Sequence, residues 1–306
     1  MAFVFPGQGS QSVGMLADMA ARSSIVGDTF ATASAALGYD LWALCQDDPD
    51  GRLSETEVTQ PALLTASIAL WRVWLEAGGG APILLAGHSL GEYSALVAAG
   101  AIELADAVSL VATRGRYMQE AVPAGSGGMA AVLGLDDDTV IAACGGVGDG
   151  VVEAVNFNAP GQVVIAGDKT AVDAAIEACK AAGAKRALPL PVSVPSHCAL
   201  MRPAAERLAE TLAGIDIAAP NIDIVNNVDV EKTRDPAAIR DALVRQLHSP
   251  VRWTETMQAF ASEGVSQIIE CGPGKVLSGL QKRIDRSVAT GFLETLAGFD
   301  AALGGA

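Results

Sequence analysis

The sequence predicts an α/β protein of two structural units, the larger of which is built on a mostly parallel sheet. Short apolar runs of strand type alternate with helical patterns along most of the chain, an order that gives a parallel sheet with helices on both faces. Half of the residues are hydrophobic and only 5% are aromatic, a composition typical of α/β enzymes. A length of 306 residues is enough for about two units with sizeable cores.

The first 120 residues contain the pattern of the larger unit. A strand at 3–5 ends in a turn at 6–9, and two helical patterns follow it at 15–22 and 26–37. A longer helix is predicted at 62–77, started by Pro61, since proline is favoured at the first position of a helix. A strand at 81–86, a helix at 92–99 and a helix at 103–120 complete this part of the chain.

A linker at 123–128 separates this part from a segment with a different pattern. Strands are predicted at 129–135, 151–156, 163–167 and 185–192, and helices at 137–144 and 169–182. This β-α-β-β-α-β order is the ferredoxin-like plan. We therefore expect a small ferredoxin-like domain at 125–194, inserted into a large domain formed by 1–124 and 195–306.

The chain returns to the larger unit after Pro195. Helices are predicted at 199–212, 236–247 and 251–262, and strands at 222–226 and 267–270. The last strand ends at the turn 271–274, and another helix begins at Lys275. These elements continue the alternation that predicts a parallel sheet.

Charge and cysteine content exclude several classes of function. The net charge of −15 argues against nucleic-acid binding, which needs a basic surface. No stretch predicts a membrane span, and no basic segment near the start predicts a secretory signal. Five cysteines without C-x-x-C spacing predict reduced thiols in a cytoplasmic protein, with neither a metal site nor disulfides.

Two basic clusters stand out against this acidic background. They could bind an acidic protein partner, or each could be only a solvated helix face. The first consists of Lys180, Lys185 and Arg186, and the second of Lys275, Lys282, Arg283 and Arg286.

The segment from Gly87 to Gly91 is a G-x-S-x-G pentapeptide between a predicted strand and a predicted helix. This arrangement is the nucleophile elbow, in which a sharp turn exposes the hydroxyl of the central serine, here Ser89. Side chains at the two glycine positions would collide across the turn. The backbone amide of Leu90, at the helix start, can meet a developing oxyanion. We expect Ser89 to be a nucleophile.

A serine nucleophile needs a base within hydrogen-bond reach, and the chain has three histidines. His88 directly precedes Ser89 and is expected to point away from its hydroxyl. His248 lies at a predicted helix end. His197 follows the segment that leaves the small domain, where a cleft between the domains would lie, so we expect His197 to be the base.

The group that orients this histidine is less clear from the sequence. Hydrolases with this elbow place an acid between the serine and the histidine. The candidates in that interval are Asp106, Asp136, Asp137, Asp138, Asp149, Asp168 and Asp173, together with the glutamates among them. None stands at a convincing strand end, so a Ser–His dyad oriented by a backbone carbonyl is the alternative.

Arg114 carries the indication of the substrate. In the helix 103–120 it lies on the flank of the apolar stripe, next to Val111 and Met118. A guanidinium at a core boundary needs an anionic partner. That partner is either a carboxylate of this protein in an internal salt bridge, or the carboxylate of a substrate.

Seven segments together resemble the malonyl-CoA:acyl carrier protein transacylase family. They occur in family order over nearly the whole chain: FPGQGSQ at 5–11, GHSLGEY at 87–93, RGRYMQ at 114–119, NFNAPGQ at 156–162, PSH at 195–197, QLHSPV at 246–251 and the turn at 270–274. The resemblance implies a hydrolase-like large domain with a ferredoxin-like small domain. It also implies transfer of a malonyl group from malonyl-CoA to the phosphopantetheine thiol of acyl carrier protein, in fatty acid synthesis, without a metal or cofactor.

The resemblance also implies site residues. Ser89 would carry the acyl group as an ester, and His197 would act as base and then acid, oriented by a main-chain carbonyl near Gln246. The backbone amides of Gln8 and Leu90 would form the oxyanion hole, and Arg114 would pair with the malonyl carboxylate. Gln246 is included with Arg114 among the expected substrate-binding residues.

The resemblance further favours malonyl over methylmalonyl. Leu90 and Ser196 occupy positions that correlate with extender choice in the wider acyltransferase family.

Three other interpretations share parts of this pattern. A serine esterase or thioesterase would have the elbow and the histidine but would not require Arg114 or the Gln8 loop. A non-catalytic module that only docks carrier protein would tolerate the loss of Ser89 or His197. A free-standing polyketide acyltransferase would share the whole site and differ in its carrier.

Overall fold

The computed structural model describes residues 1–192 and 194–305; Ser193, in the segment that precedes His197, and Ala306 lie outside them. The strands are β1 Ala2–Phe5, β2 Leu84–Gly87, β3 Gly127–Leu133, β4 Val152–Ala159, β5 Gln162–Asp168, β6 Arg186–Pro189, β7 Asp223–Val225, β8 Gln267–Glu270 and β9 Ala289–Phe292. The helices are α1 Ala17–Arg22, α2 Ser24–Leu37, α3 Leu41–Asp47, α4 Thr56–Glu76, α5 Gly91–Ala98, α6 Leu104–Glu120, α7 Asp137–Gly145, α8 Lys169–Ala181, α9 Arg202–Ala213, α10 Pro236–Gln246, α11 Trp253–Ser262, α12 Val276–Ile284 and α13 Leu296–Gly304. Short 3₁₀ turns lie at Arg52–Ser54 and Ala199–Met201.

A parallel sheet forms the centre of the molecule. Within the described residues it has five strands in the order β7-β2-β1-β8-β9, and each neighbouring pair is parallel. The central strands β1 and β2 are apolar and buried on both faces, as strands of a parallel sheet covered by helices must be. Phe3 and Phe5 enter the core that contains α4, while Ala2 and Val4 enter the core that contains α11 and α12. The predicted α/β class with a parallel sheet is confirmed.

A second, antiparallel sheet has the order β4-β5-β3-β6 in the described part of the chain. With α7 after β3 and α8 after β5, this is the predicted ferredoxin-like arrangement. One face of the sheet packs against α7 and α8, and the other buries Met129, Val164 and Cys198. The strands lie between residues 127 and 189, inside the predicted small domain, whose boundaries stay a prediction.

The predicted start of the long helix at residue 62 is wrong. Helix α4 begins at Thr56 and contains Pro61 in its interior. A proline this close to the helix start removes one backbone hydrogen bond. Burial of nearly every residue from Val58 to Trp71 offsets that loss, since packing outweighs local propensity.

Other elements differ from the sequence prediction at their ends or were not predicted. The region predicted as a helix at 199–212 begins with a 3₁₀ turn, and α9 follows from Arg202. Helix α3, strand β9 and helix α13 were not predicted. Each is short, and β9 is an edge strand without the apolar run expected of a buried strand.

The described residues contain neither a candidate membrane span nor a candidate metal site. No helix there is long and apolar enough to cross a membrane. No group of three or more histidine, cysteine, aspartate or glutamate side chains there could hold a metal ion.

Candidate active site

The candidate site lies at the carboxyl ends of three neighbouring strands of the parallel sheet. Gln8 follows β1, Ser89 follows β2 and Asn227 follows β7. Parallel strands deliver their following loops to one edge of the sheet, which is where open α/β sheets bind ligands. Three segments far apart in sequence therefore meet at one place.

The predicted turn at Ser89 is present and strained. Ser89 has a φ of +52°, in the left-handed region that residues with side chains seldom adopt. Such a conformation costs on the order of 1–3 kcal/mol. A Cβ on Gly87 would lie 1.8 Å from the carbonyl carbon of Gly91, and a Cβ on Gly91 would lie 2.0 Å from the Phe5 carbonyl oxygen. The two glycines are required because no side chain fits at either position.

Asn227 holds the turn in place. The backbone N–H of Ser89 donates to Asn227 Oδ1 at 2.7 Å, and Asn227 Nδ2 donates to the Gly87 carbonyl oxygen at 2.7 Å. One buried amide side chain thus satisfies two of the backbone groups that the sharp turn leaves unpaired.

Ser89 and His197 form a hydrogen-bonded pair. His197 Nε2 lies 2.8 Å from Ser89 Oγ, and His197 Nδ1 lies 2.7 Å from the main-chain carbonyl oxygen of Gln246. Since a carbonyl can only accept, Nδ1 carries the proton and Nε2 is free to accept from the serine hydroxyl. A backbone carbonyl therefore orients the imidazole in place of the acid considered from the sequence.

The histidine is held as a neutral base. His197 is buried, and this burial together with the nearby charge of Arg114 lowers the pKa of His197 to about 3. A φ of +68° at His197 adds a second strained residue to the pair. At neutral pH the imidazole is therefore unprotonated, the form that can take a proton from Ser89.

Arg114 enters the same site from α6. Only 1% of the residue is exposed. One terminal nitrogen donates to Gln60 Oε1 at 2.7 Å; the other donates to Gln246 Oε1 at 3.0 Å and to Ser89 Oγ at 3.3 Å. No carboxylate of the described residues forms a salt bridge with this guanidinium. The internal salt bridge considered from the sequence is therefore absent there.

Gln246 lies behind the site and does not line the cavity. Its side chain is fully buried. Gln246 Nε2 donates to the Ser89 carbonyl oxygen at 3.0 Å and to Glu92 Oε2 at 2.9 Å, while its Oε1 accepts from Arg114. The geometry gives Gln246 two tasks, orienting His197 with its main chain and Arg114 with its side chain, instead of the substrate contact expected from the sequence.

Two backbone N–H groups beside Ser89 donate to no acceptor among the described residues. They belong to Gln8, in the turn after β1, and to Leu90, which precedes α5. Both residues line the same cavity as Ser89. Unpaired backbone donors beside a serine hydroxyl can accept the oxygen of a tetrahedral intermediate.

A cavity of about 580 Å³ connects these groups. Gln8, Ser89, Leu90, Arg114 and His197 line one side of it. Met129, Asn156 and Leu190, from the antiparallel sheet or next to it, line the other. Among the described lining residues, Arg114 is the only lysine or arginine.

Neither of the other two histidines hydrogen-bonds with the hydroxyl of Ser89. His88 lines the cavity, but its Nε2 is 2.8 Å from Asn158 Oδ1 and its ring packs near Trp253. His248 does not line the cavity. Both placements agree with the sequence-based choice of His197.

Sequence reasoning missed Gln60, Glu92 and Asn227 as parts of the site. Glu92 belongs to the GHSLGEY segment, and Asn227 comes directly after a predicted strand, which is a usable signal. Gln60 gives none, because it is one of several polar residues in helix α4 and no motif distinguishes it from the others.

Comparison with known proteins agrees with this geometry. A family model described as the acyl transferase domain matches residues 2–299. The chain is 64% identical over 303 residues to the malonyl CoA-acyl carrier protein transacylase of Salmonella typhimurium, across 99% of this chain and 98% of that protein. It is 63% identical to the Escherichia coli K12 protein of that name, over the same shares of both chains. The chain belongs to the malonyl-CoA:acyl carrier protein transacylase family.

Solved structures of transacylases have the same fold over the whole chain. An acyl carrier protein S-malonyltransferase from Vibrio cholerae has a TM-score of 0.96 and 58% identity, covering 98% of both chains. A malonyl-transacylase solved in complex with its type II PKS acyl-carrier protein has a TM-score of 0.98 and 57% identity, covering 100% of this chain and 99% of that one. The two-domain fold implied by the resemblance is confirmed.

Proposed function

We propose that the protein transfers a malonyl group from malonyl-CoA to the phosphopantetheine thiol of acyl carrier protein, in fatty acid synthesis. The observation that carries the proposal is the Arg114 guanidinium, which lies in the cavity 3.3 Å from Ser89 Oγ. A buried cation beside a serine nucleophile suits an acyl group with a free carboxylate at its far end. The names of the relatives, which mention malonyl-CoA and acyl carrier protein, support the same substrates.

In the first half-reaction Ser89 Oγ attacks the thioester carbonyl carbon of malonyl-CoA. His197 Nε2, 2.8 Å from this oxygen, takes the hydroxyl proton as the new C–O bond forms. The C–S bond then breaks, and the sulfur of coenzyme A leaves with the proton that His197 returns to it. The product is a malonyl ester of Ser89.

The carbonyl oxygen gains negative charge when the tetrahedral intermediate forms. The unpaired N–H groups of Gln8 and Leu90 donate to it. Each such donor contributes about 3–4 kcal/mol to the stability of the transition state.

The second half-reaction repeats these steps with the carrier protein. The phosphopantetheine thiol gives its proton to His197 and attacks the ester carbon, and the C–O bond to Ser89 breaks as its oxygen takes the proton back. Each half-reaction exchanges a thioester and an oxygen ester, so transfer is reversible. The walls of the cavity limit the access of water to the ester in the meantime.

Arg114 selects the malonyl group by pairing with its carboxylate. One terminal nitrogen of the guanidinium donates only to Gln60 among the described residues, so its second N–H remains for the substrate. An acetyl group would leave the cation without an anionic partner, a penalty of roughly 2–5 kcal/mol.

Replacing Arg114 by alanine tests this function. The variant should lose malonyl-over-acetyl selectivity by at least about 30-fold, since about 2 kcal/mol of pairing is lost. The measurement is the rate of acyl-enzyme formation from malonyl-CoA and from acetyl-CoA. Arg116→Ala is the matched control, because Arg116 is exposed on the same helix and does not line the cavity. An unchanged ratio in Arg114→Ala would contradict the carboxylate pairing.

A carrier protein of polyketide synthesis is a second candidate acceptor. The observation in its favour is the malonyl-transacylase of 57% identity that was solved with its type II PKS acyl-carrier protein. Comparing transfer rates to a fatty acid carrier and to a type II polyketide carrier distinguishes the two.

We place carrier docking on a single basic surface outside the cavity. Lys185 and Arg186, from the first basic cluster, line the same depression as Arg283 from the second. All three are exposed. Their positive charge favours an acidic partner on an otherwise acidic protein.

The cytoplasm is the proposed location. The five cysteines are unpaired and buried, as expected of a protein in a reducing compartment.

A further inference from the structure

Glu92 is a buried carboxyl group with no assigned role. It lies on α5, the helix that follows Ser89, and is 4% exposed. It does not line the cavity and does not contact Ser89 or His197 through its carboxylate. Its Oε2 accepts from Gln246 Nε2 at 2.9 Å and from the backbone N–H of Asn227 at 3.0 Å.

Burial of this carboxyl group is unfavourable. Loss of water raises the pKa of Glu92 to about 7, although its hydrogen bonds and the charge of Arg114 act in the opposite direction. An apolar residue of similar size would avoid the cost of removing a carboxylate from water. The two residues that Glu92 contacts, Gln246 and Asn227, both hold parts of the site.

The Gln246 amide has one donating end and one accepting end, so its orientation decides what it offers to Arg114. In its ionised form, which the hydrogen bonds from Gln246 and Asn227 and the charge of Arg114 favour, Glu92 only accepts and therefore requires Nε2 of Gln246 on its own side. The Ser89 carbonyl oxygen at 3.0 Å and Asn227 Oδ1 at 3.4 Å favour the same orientation, but Glu92 is the charged and nearest acceptor. This orientation places Oε1 of Gln246 3.0 Å from Arg114.

We propose that Glu92 is a positioning residue for substrate selection. Its carboxylate fixes the orientation of the Gln246 amide, and the Gln246 oxygen in turn holds the Arg114 guanidinium where the acyl carboxylate binds. If Gln246 turned over, two donors would face each other, and Arg114 would move away from its place beside Ser89.

The proposal rests on the proposed malonyl transfer, and the experiment separates the two. The readout is the ratio of acyl-enzyme formation rates with malonyl-CoA and acetyl-CoA. Glu92→Gln keeps the shape of the side chain but adds a donor, so the Gln246 amide can turn over. The ratio should fall by about tenfold or more, a typical effect of losing the partner of a charged group. Failure of Arg114→Ala to change the ratio would contradict the proposed function itself; failure of Glu92→Gln alone would contradict only this inference.

Glu270→Gln is the matched control. Glu270 is equally buried, accepts from the backbone N–H groups of Leu277 and Ser278, and lies outside the cavity lining. We expect this variant to lower thermal stability without changing the malonyl-to-acetyl ratio. A merely structural Glu92 would behave in the same way, slowing both substrates alike, and that result would overturn the proposal.

A double-mutant cycle shows whether Glu92 acts through Gln246. Gln246→Ala removes the side chain and keeps the carbonyl that orients His197, so it should lower the ratio as Glu92→Gln does. The two changes together should lower the ratio no further than Gln246→Ala alone. Additive effects would overturn the proposal. If Glu92→Gln does not fold, Gln246→Ala alone is the test. An unchanged malonyl-to-acetyl ratio in Gln246→Ala would overturn the proposal, because Glu92 would then have nothing to act through.

Discussion

The two sheets of this molecule contribute differently to its site. The parallel sheet delivers Gln8, Ser89 and Asn227 from the ends of three strands, and its helices add Arg114 and Gln246. The antiparallel sheet and the segment after it add Met129, Asn156, Leu190, Pro191 and Val192 to the cavity wall, and none of these has an ionisable side chain.

The two regions differ in the burial and hydrogen bonding of their polar side chains. Around Ser89 the side chains are buried and hydrogen-bonded to one another, so a change at one residue affects its neighbours. The charges of the small unit, such as Lys185 and Arg186, are exposed at its surface. We infer that the large unit performs the chemistry and that the small unit shapes the cavity and meets the partner.

The largest effect is expected at the turn beneath Ser89. Gly91→Ala would place a Cβ 2.0 Å from the Phe5 carbonyl oxygen, which belongs to the central strand and cannot move aside. We expect a loss of about 4 kcal/mol or more in the free energy of unfolding. Gly279→Ala is the control, because Gly279 lies in helix α12 with no atom within 4 Å of the added Cβ. It should stabilise the protein by about 0.5–1 kcal/mol. Urea denaturation measures the free energy of unfolding of both variants. Equal stability of the two would show that the close approach of residue 91 to the Phe5 carbonyl does not require glycine.

Loss of the base comes next. His197→Ala should slow acyl-enzyme formation by about 10²–10⁴-fold, the usual contribution of a positioned base. His248→Ala should change the rate less than about twofold, since surface substitutions outside a site have small effects. The measurement is single-turnover acylation with malonyl-CoA. Similar losses in the two variants would show that the imidazole at 197 has no special role.

The stability of the large unit should also depend on pH through His197. In the unfolded chain this imidazole takes a proton near its ordinary pKa of 6.5, while in the folded protein its pKa is about 3. Between these values the unfolded state binds more protons, so acid favours unfolding. From about pH 7 to about pH 4.5 the free energy of unfolding of the wild type should fall by about 2–3 kcal/mol relative to that of His197→Gln. The reason is that each of the roughly two pH units below 6.5 contributes about 1.4 kcal/mol. An equal change in the free energy of unfolding of the two proteins over this pH range would contradict the lowered pKa of His197.

The smallest effect is expected on the basic surface, where Arg283 of the large unit lies beside Lys185 and Arg186 of the small unit. Arg283→Glu, on the basic surface, should raise the KM for carrier protein by roughly fivefold, because an exposed charge is worth about 1 kcal/mol. The KM for malonyl-CoA should not change. Arg116→Glu introduces the same charge change at an exposed residue of α6, outside the basic surface, and serves as the control. Equal effects of Arg283→Glu on both substrates would place its role in the cavity and not on the docking surface.

The features that could be predicted from the sequence are those that depend on strict local requirements. The glycines around Ser89 have to be glycine, so the elbow could be identified before the structure. The choice of His197 among three histidines also needed only chemistry and chain order. Strands β1 and β2 were predictable because burial on both faces makes them continuously apolar.

The parts that were not visible depend on packing between distant segments. The carbonyl near Gln246 that orients His197 was expected only from the family resemblance, and nothing near Gln246 indicates that its amide meets Arg114 and Glu92. The interior position of Pro61 was missed for a similar reason, because the local preference of proline is outweighed by burial of the whole helix. Buried polar networks are made of residues whose partners only the fold brings together.

The most direct test of the central claim is the intact mass of the protein after mixing with malonyl-CoA and then with phosphopantetheinylated carrier protein. We expect one malonyl group on Ser89, which then passes to the carrier, and no adduct in Ser89→Ala. An adduct that is lost to water while the carrier stays unmodified would contradict it and indicate a hydrolase with the same elbow. An adduct from another acyl-CoA but none from malonyl-CoA would contradict the substrate.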